Sequence, residues 1–309
     1  MANLRQIKTQ IKSIKSTAKV TKALQMVAAT KVKNTQSRAE QFKFYADGIQ
    51  NIIHNLGDLS KLGEVELARE SKEVKNITIL LIATSRGFTG ALNSNLTLEL
   101  NRTIKTLKSK YGENVIIQGV SIYKYGLKIF NKLGIKVLAH FGELGEKATT
   151  YDLIPVFEII EKSFLSNESD EVYVLFPKFV NALVQKPTLE RLLPISISSL
   201  NEKKDENRKD GMSSEDKGNN TEENKSAEII FEPSKSEILG NLIREYFQSM
   251  IFNSLLQTIA SEFSARFVAM KSATDNANKL VKSLSLKYNR IRQEKITNEM
   301  LDVVGGTVV

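Results

Sequence analysis

Residues 256–291 read LQTIASEFSARFVAMKSATDNANKLVKSLSLKYNRI, and this stretch decides the fold class. Apolar residues recur in it at every seventh position, at Leu256, Phe263, Met270, Ala277, Leu284 and Ile291. A second row, offset by three, has apolar residues at Ile259, Ala273 and Leu280 and charged ones at Arg266, Lys287 and Glu294. A seven-residue repeat of this kind is typical of the seam of a left-handed coiled coil.

The helix that carries this repeat is predicted to be unusually long. No Pro lies between Ser234 and Val309, and no Gly lies between Gly240 and Gly305, so we predict one helix over 236–305. At ~1.5 Å per residue it would extend for ~100 Å. A helix of that length cannot bury its apolar stripe against a small domain, and we therefore expect a partner helix.

The beginning of the chain supplies this partner. Its apolar and small residues step by three and four, along Leu4, Ile7, Ile11, Ile14, Ala18, Thr21, Gln25, Ala28 and Val32. A second apolar row joins through the middle, at Val20, Ala23, Leu24 and Val27, and predicts burial on more than one side. We expect the two terminal helices to pack antiparallel into a shaft that projects from the rest of the chain.

The composition excludes several classes of function. The chain has 309 residues, a net charge of +9, two His and no Cys, so disulfides and thiolate metal sites are excluded. Neither His belongs to a cluster at a diagnostic spacing, and we predict no catalytic, cofactor or metal site. No apolar run is long enough to span a membrane. The positive charge favours an acidic partner, which could be nucleic acid, anionic lipid or an acidic protein surface.

Much of this charge lies on one face of the first helix. The lysines on this face are Lys8, Lys12, Lys15, Lys19 and Lys22, and Lys31 and Lys33 follow. Three interpretations remain open: a solvated helix face, a nucleic-acid-binding arm, and a helix that faces an acidic protein groove. The nucleic-acid-binding interpretation is weakened because the lysines are not accompanied by aromatic residues or a Gly-rich segment that could contact bases. A membrane-surface helix is disfavoured, since no Trp or Phe precedes Phe42.

The middle of the chain predicts a Rossmann-like α/β domain. Strands are predicted at 76–83, 115–120, 136–139, 171–176 and 184–197, and helices at 94–111, 121–133 and 151–165. Alternation of this kind is typical of a largely parallel sheet. The segment 85–90 between the first strand and helix has neither a Walker lysine pattern nor a G-x-G-x-x-G fingerprint, so we predict a turn that needs Gly for backbone freedom.

These patterns predict three units. The shaft comprises 1–57 and 234–309, and the α/β domain comprises 70–200 and 228–233, with a short strand at 229–231. Residues 201–228 contain nine acids, six bases and only two apolar side chains, Met212 and Ala227. This insert cannot bury enough apolar surface to offset its ordering entropy, and we predict that it is disordered.

Several segments, in the same order, resemble the gamma subunit family of bacterial F-type ATP synthases. IKSIKSTAKVTKALQMVAATK, at 11–31, is similar to the first-helix signature of that family. YNRIRQEKITNEM, at 288–300, together with VVGG at 303–306, is similar to its C-terminal signature. SRGFTGALNSN, at 85–95, and the segment 176–194 resemble internal segments, although Phe88 and Thr89 replace the commoner Leu-Cys.

The resemblance implies a non-catalytic rotor subunit in the central stalk of a proton- or sodium-translocating ATP synthase. Ion flow would rotate the c-ring, and the shaft would carry this rotation to the catalytic sites of the beta subunits for ATP synthesis. The implied partners are the alpha and beta subunits of an alpha3beta3 ring, the epsilon subunit and the c-ring, with no nucleic acid. The implied location is the cytoplasmic face of the cell membrane, as a peripheral part of the F1 sector that contacts the membrane only through the complex.

The resemblance also implies interaction residues. The lysine face would meet an acidic segment of beta, Arg266 would meet the ring, and the end of the long helix would bond to alpha and beta loops through Arg292, Gln293, Thr297 and Glu299. Two alternatives remain open. One is the rotor of a divergent F1-like ATPase not used for ATP synthesis, and the other is a basic coiled-coil protein that binds nucleic acid.

Overall fold

The computed structural model, which describes residues 4–55, 65–142, 144–195 and 235–306, has an α/β domain and two long helices that pack against each other and against one face of its sheet. The long helices are α1 (Leu4–Asn55) and α5 (Lys235–Gly306). The elements between them are β1 (Asn76–Ile82), α2 (Leu92–Tyr111), β2 (Ile116–Ile122), α3 (Lys124–Leu133), β3 (Lys136–Phe141), α4 (Ile154–Leu165), β4 (Glu171–Phe179) and β5 (Gln185–Leu193). The insert predicted at 201–228 and the strand predicted at 229–231 lie outside the described residues.

The sheet has the strand order β3-β2-β1-β4-β5, and only β5 is antiparallel to its neighbour. The prediction of a largely parallel α/β sheet is therefore confirmed. β1 is central because its sequence, NITILLI, is apolar on both faces, and every residue from Ile77 to Ile82 is buried. Strands that alternate with helices give parallel neighbours, whereas the short 180–184 link makes β4 and β5 a hairpin.

Helices cover both faces of the sheet. Ile79 and Leu81 of β1 face a cluster that contains Leu96 of α2 and Phe130 of α3. The alternate β1 residues face a second cluster, which includes Phe157 of α4 and the first half of α5. The long helix α5 therefore belongs to the core of the α/β domain before it continues as the shaft.

The shaft seam is confirmed in its main row and corrected in its second one. Ile7, Ala18 and Ala28 of α1 are buried, as are Met270 and Ala277 of α5. The predicted offset of three holds at Ile259, which is buried, but it is wrong at Leu280, which is 54% exposed, whereas Thr274, offset by four from Met270, is buried. Helix α1 packs against α5 on the side of Thr274. The apolar side chain of Leu280 does not reveal which side of α5 the partner helix covers.

The second apolar row of α1 is not buried within this chain. Val20 and Val27 are 56% and 58% exposed, and Leu24 is 38% exposed. The prediction of burial on more than one side is thus wrong for the isolated chain. Since α5 covers only one side of α1 along this stretch, these side chains form an apolar surface that is open to solvent.

Some element boundaries also differ from the predictions. Ser121 and Ile122 were predicted to begin a helix, but they extend β2, because parallel pairing with β1 continues as far as Ile82 opposite Ile122. Tyr123 then turns the chain with a φ of 67°, and α3 begins one residue later. The helix predicted from Tyr151 begins as a 3-10 turn, Tyr151–Leu153, before α4.

Candidate functional site

The lysine face of α1 is a strongly charged surface of the shaft. Lys8, Lys12, Lys15, Lys19 and Lys22 are all exposed. A groove of about 680 Å³ lies beside them, between α1 and α5. Lys15, Lys19 and Lys22 line this groove together with Lys271, and Asp275 is the one acidic residue among them. The groove therefore has a net positive charge and suits an acidic segment.

Lys31 is not part of this exposed face. It forms an ion pair with Glu146, a residue of the loop between β3 and α4. Arg38, two turns further along α1, donates to the backbone carbonyl oxygens of Glu146, at 3.1 Å, and of Ala148. Lys33 remains exposed. Lys31 therefore fastens α1 to the α/β domain, although 40% of its side chain remains exposed.

Arg266 also points into the chain. Only 11% of its side chain is exposed, and it forms an ion pair with Glu262, one turn earlier on α5. Its Nε donates to the carbonyl oxygen of Gly87 at 3.3 Å, and its guanidinium lies 5.3 Å from the ring centre of Phe263. The geometry places Arg266 at the joint between the shaft and the α/β domain rather than on the outer surface.

Glu262 completes this joint. Its carboxylate is 5% exposed and accepts hydrogen bonds from the backbone N–H of Ser85 at 2.8 Å and of Arg86 at 3.3 Å. The hydroxyl of Ser85 donates to it at 3.0 Å. The nearby Tyr123 is buried, and burial, with the Glu262 and Glu146 carboxylates, raises the pKa of its phenol above the ordinary range. Glu262 was not among the predicted residues. Its position among small and apolar residues, four residues before Arg266, could have predicted a buried ion pair between the two side chains.

The segment 85–90 is a strand-to-helix turn, as predicted. Gly90 has a φ of 57°, which favours Gly, and Phe88 adopts a similar φ of 63° with its side chain 72% exposed. Behind the turn, Asn93 donates to the hydroxyl of Thr84 at 2.8 Å, and that hydroxyl donates to the carbonyl of Arg86 at 3.1 Å. The turn is therefore held from both sides, by α2 and by Glu262.

The four residues predicted near the end of α5 lie on a separate, exposed surface. Arg292, Gln293, Thr297 and Glu299 are all exposed. The Thr297 hydroxyl donates to the Gln293 carbonyl at 3.0 Å, and Lys295 pairs with Glu299 at 3.5 Å. At ~1.5 Å per residue, Arg292 lies ~39 Å along the helix from Arg266. The predicted interaction residues are therefore not brought together into a single site.

The potential metal ligands of the described ranges are dispersed. There, no group of three or more His, Cys, Asp and Glu residues could hold a metal ion. His140 instead makes a 2.8 Å hydrogen bond between its Nδ1 and the hydroxyl of Ser121. No helix in this part of the chain is long and apolar enough to cross a membrane.

Comparison with known proteins assigns the chain to a family. A family model described as ATP synthase matches residues 3–308. An ATP synthase gamma chain of Dehalococcoides mccartyi is 36% identical over 307 residues, which cover 99% of this chain and 98% of the relative. One from Cupriavidus necator is 32% identical over 309 residues, 99% of each chain. The chain belongs to the ATP synthase gamma chain family.

The fold is shared with solved structures of ATP synthases. A chain of the Euglena gracilis mitochondrial ATP synthase, solved as an OSCP/F1/c-ring assembly, aligns with a TM-score of 0.63 and 18% identity. The alignment covers 98% of this chain and 93% of that one. A gamma chain is a non-catalytic subunit of the central stalk, so family membership favours the rotor interpretation over a nucleic-acid-binding coiled coil.

Proposed function

We propose that this gamma chain is the rotor of an ATP synthase that couples ion flow to ATP synthesis at the cytoplasmic face of the cell membrane. The observation that carries this proposal is a shaft made from both ends of the chain, anchored in the α/β domain at its base. The coupling ion is a proton or sodium. The proposed partners are the alpha3beta3 ring, the epsilon subunit and the c-ring, which together match the kinds of assembly in which related structures were solved.

The shaft suits this role because its sides differ chemically. One side of α1 carries the exposed lysine face, and another carries the exposed apolar residues Val20, Leu24 and Val27. A ring of three equivalent catalytic subunits around such a shaft would meet a different surface at each position. Rotation would then change which surface each subunit meets, and it would change the state of each catalytic site in turn.

The proposed contacts to the ring use the exposed residues. The lysine face, comprising Lys8, Lys12, Lys15, Lys19 and Lys22, with Lys33 nearby, would meet an acidic segment of beta. Arg292, Gln293, Thr297 and Glu299 would bond to alpha and beta loops. Exposed ion pairs contribute only ~0.2–1 kcal/mol each, which suits contacts that must form and break during rotation. Lys31, with 40% of its side chain exposed, would also meet beta, whereas Arg266, with 11% exposed, holds the joint within the chain.

The test is reconstitution of the full chain with alpha, beta and the membrane sector in vesicles. We expect ATP synthesis under an imposed ion gradient, and no ATP hydrolysis by the chain alone. Proton and sodium gradients applied separately identify the ion. ATPase activity of the isolated chain, or failure to assemble with alpha and beta, would overturn the rotor function. Hydrolysis without synthesis under either gradient would instead favour a divergent F1-like ATPase.

A further inference from the structure

The Glu262 carboxylate is held as a bound anion would be held. Both of its oxygens are used: Oε2 accepts from the Ser85 N–H at 2.8 Å, and Oε1 accepts from the Ser85 hydroxyl at 3.0 Å and from the Arg86 N–H at 3.3 Å. The Arg266 guanidinium also pairs with Oε1, and its Nε donates to the Gly87 carbonyl of the same turn at 3.3 Å. Two backbone donors, one hydroxyl and one cation thus converge on a carboxylate that is almost fully buried.

The location of these donors is a ligand-binding location in other α/β domains. The Ser85–Gly87 turn follows the carboxyl end of β1, which lies between β2 and β4 at the centre of the sheet. From β1 the chain continues to β2 on one side of the sheet, whereas β4 lies on the other side of β1. The order of the strands therefore reverses at β1, and the turn lies at this topological switch point. Open α/β sheets bind ligands in the crevice at this point, often through backbone N–H groups.

We propose that residues 85–87 and Arg266 form an anion-binding cradle, and that Glu262 is its built-in ligand. The shaft is then docked on the α/β domain by a carboxylate in the place of a free anion. If the side chain of Glu262 is truncated, the vacated cradle binds a small carboxylate such as formate or acetate. Under the rotor function proposed above, the cradle also transmits torque between the shaft and the domain, but anion binding does not depend on that function.

A cavity beside the cradle provides access for such an anion. It has a volume of about 150 Å³ and is lined by Ser85, Tyr123, Gly145, Glu262 and Arg266, among others. Glu262→Ala removes one methylene and the carboxylate, which together are close to acetate in size. The change keeps a strong helix former on α5, and it leaves all four donors of the cradle in place.

The experiment measures hydrogen exchange in the full chain. In Glu262→Ala we expect the Ser85 and Arg86 amides to exchange ~10- to 100-fold faster, because hydrogen bonds to a charged acceptor are lost. Formate or acetate should restore slow exchange in a saturable manner, whereas the uncharged formamide at the same concentration should not. Glu294→Ala removes an exposed carboxylate that also pairs with an arginine of α5, Arg290, and it should change neither amide.

Each of the following results would contradict the proposal of an anion-binding cradle. Unchanged Ser85 and Arg86 exchange in folded Glu262→Ala would show that these amides do not depend on the carboxylate. Fast exchange that neither formate nor acetate slows would show that Glu262 acts only by packing. If Glu262→Ala does not fold, Glu262→Gln keeps the shape but loses the charge, and equal protection of both amides in the Glu262→Gln and unaltered chains would exclude an anion site. None of these readouts requires ATP synthase activity, so a failure of the rotor function is recognised separately.

Discussion

Thr21 of α1 and Thr274 of α5 are separated by 253 positions in the chain, and their hydroxyl oxygens lie 2.8 Å apart in the seam of the shaft. Each hydroxyl also lies within hydrogen-bonding distance of its own helix, at the carbonyl of Ala18 or of Met270. One hydroxyl donates across the seam while the other donates to its backbone. This polar pair therefore sets the register of two helices whose other seam residues are mostly apolar or small.

Removing the pair should weaken the seam in a non-additive way. We expect Thr274→Val and Thr21→Val each to lower the free energy of unfolding by ~1 kcal/mol, because each leaves a hydroxyl without its cross-seam partner. The double variant should lose less than the sum, since both single changes remove the same hydrogen bond. Urea unfolding of the four chains measures the coupling, and additive effects would mean that the two hydroxyls act independently.

Arg266→Ala should destabilise the isolated chain. It leaves the Glu262 carboxylate buried without its cation, a change that typically costs ~3–5 kcal/mol. Arg292→Ala is the matched control, because that arginine is exposed and its loss should change stability by less than ~0.5 kcal/mol. Thermal unfolding of both variants provides the comparison. If Arg266→Ala melts at the same temperature as Arg292→Ala, Arg266 does not stabilise the joint, and an outward-facing interaction role would be favoured instead.

Two glycines should respond in opposite directions to the same substitution. A Cβ at Gly119 of β2 would lie 2.6 Å from the ring of Phe130, so Gly119→Ala should destabilise by ~1–3 kcal/mol or more through overpacking. A Cβ at Gly48, inside α1, meets nothing within 4 Å. Gly48→Ala should therefore stabilise by ~0.5–1 kcal/mol, as expected for Ala in a helix interior. The measurement is the denaturant concentration at the midpoint of unfolding of each variant. An unchanged midpoint for Gly119→Ala would mean that α3 can move away from the sheet.

The lysine face should matter for assembly but not for folding. Replacing Lys8, Lys12, Lys15 and Lys19 together by Gln should leave the stability of the isolated chain nearly unchanged, because all four are exposed. The affinity for an alpha3beta3 ring should fall by about 10-fold or more at low salt, and by less at high salt, since exposed pairs are screened.

Four other exposed lysines serve as a control with the same change in net charge. These are Lys105, Lys124 and Lys132, on helices α2 and α3, and Lys136, the first residue of β3. An equal loss of ring affinity in the control chain would show that net charge, rather than the lysine face of α1, controls assembly.

Tyr45 should titrate well above an ordinary tyrosine. Its hydroxyl donates to Glu245 of α5, and this hydrogen bond, with some desolvation, raises its pKa from 10.0 to about 12. The folded state favours the neutral phenol, so the contact contributes stability that is fully present below pH 10.0 and is lost as the pH rises through about 12. Absorbance of tyrosinate follows the titration. Glu245→Gln should move this pKa back towards 10.0, and Tyr45→Phe should remove the step.

The main features of the fold could be predicted from local pattern. The heptad row of α5, the stepped row of α1 and the apolar β1 strand each follow from side-chain periodicity, which reports burial without knowledge of the partner. The gamma-chain signatures at both ends also lie in contiguous sequence. The family and the paired terminal helices were therefore readable from the residues alone.

Only the tertiary structure decided which side of each helix is covered. Leu280 and Val20 are apolar and fit a seam pattern, yet they are exposed, because the direction from which the partner helix approaches is set by long-range packing. Arg266 and Lys31 looked like outward-facing charges for the same reason. Glu262 lies one turn from Arg266 on the same helix, but the Ser85–Gly87 turn meets this pair, and Glu146 meets Lys31, only after the sheet has formed. Long-range packing therefore makes these charges part of the joints between the helices and the α/β domain.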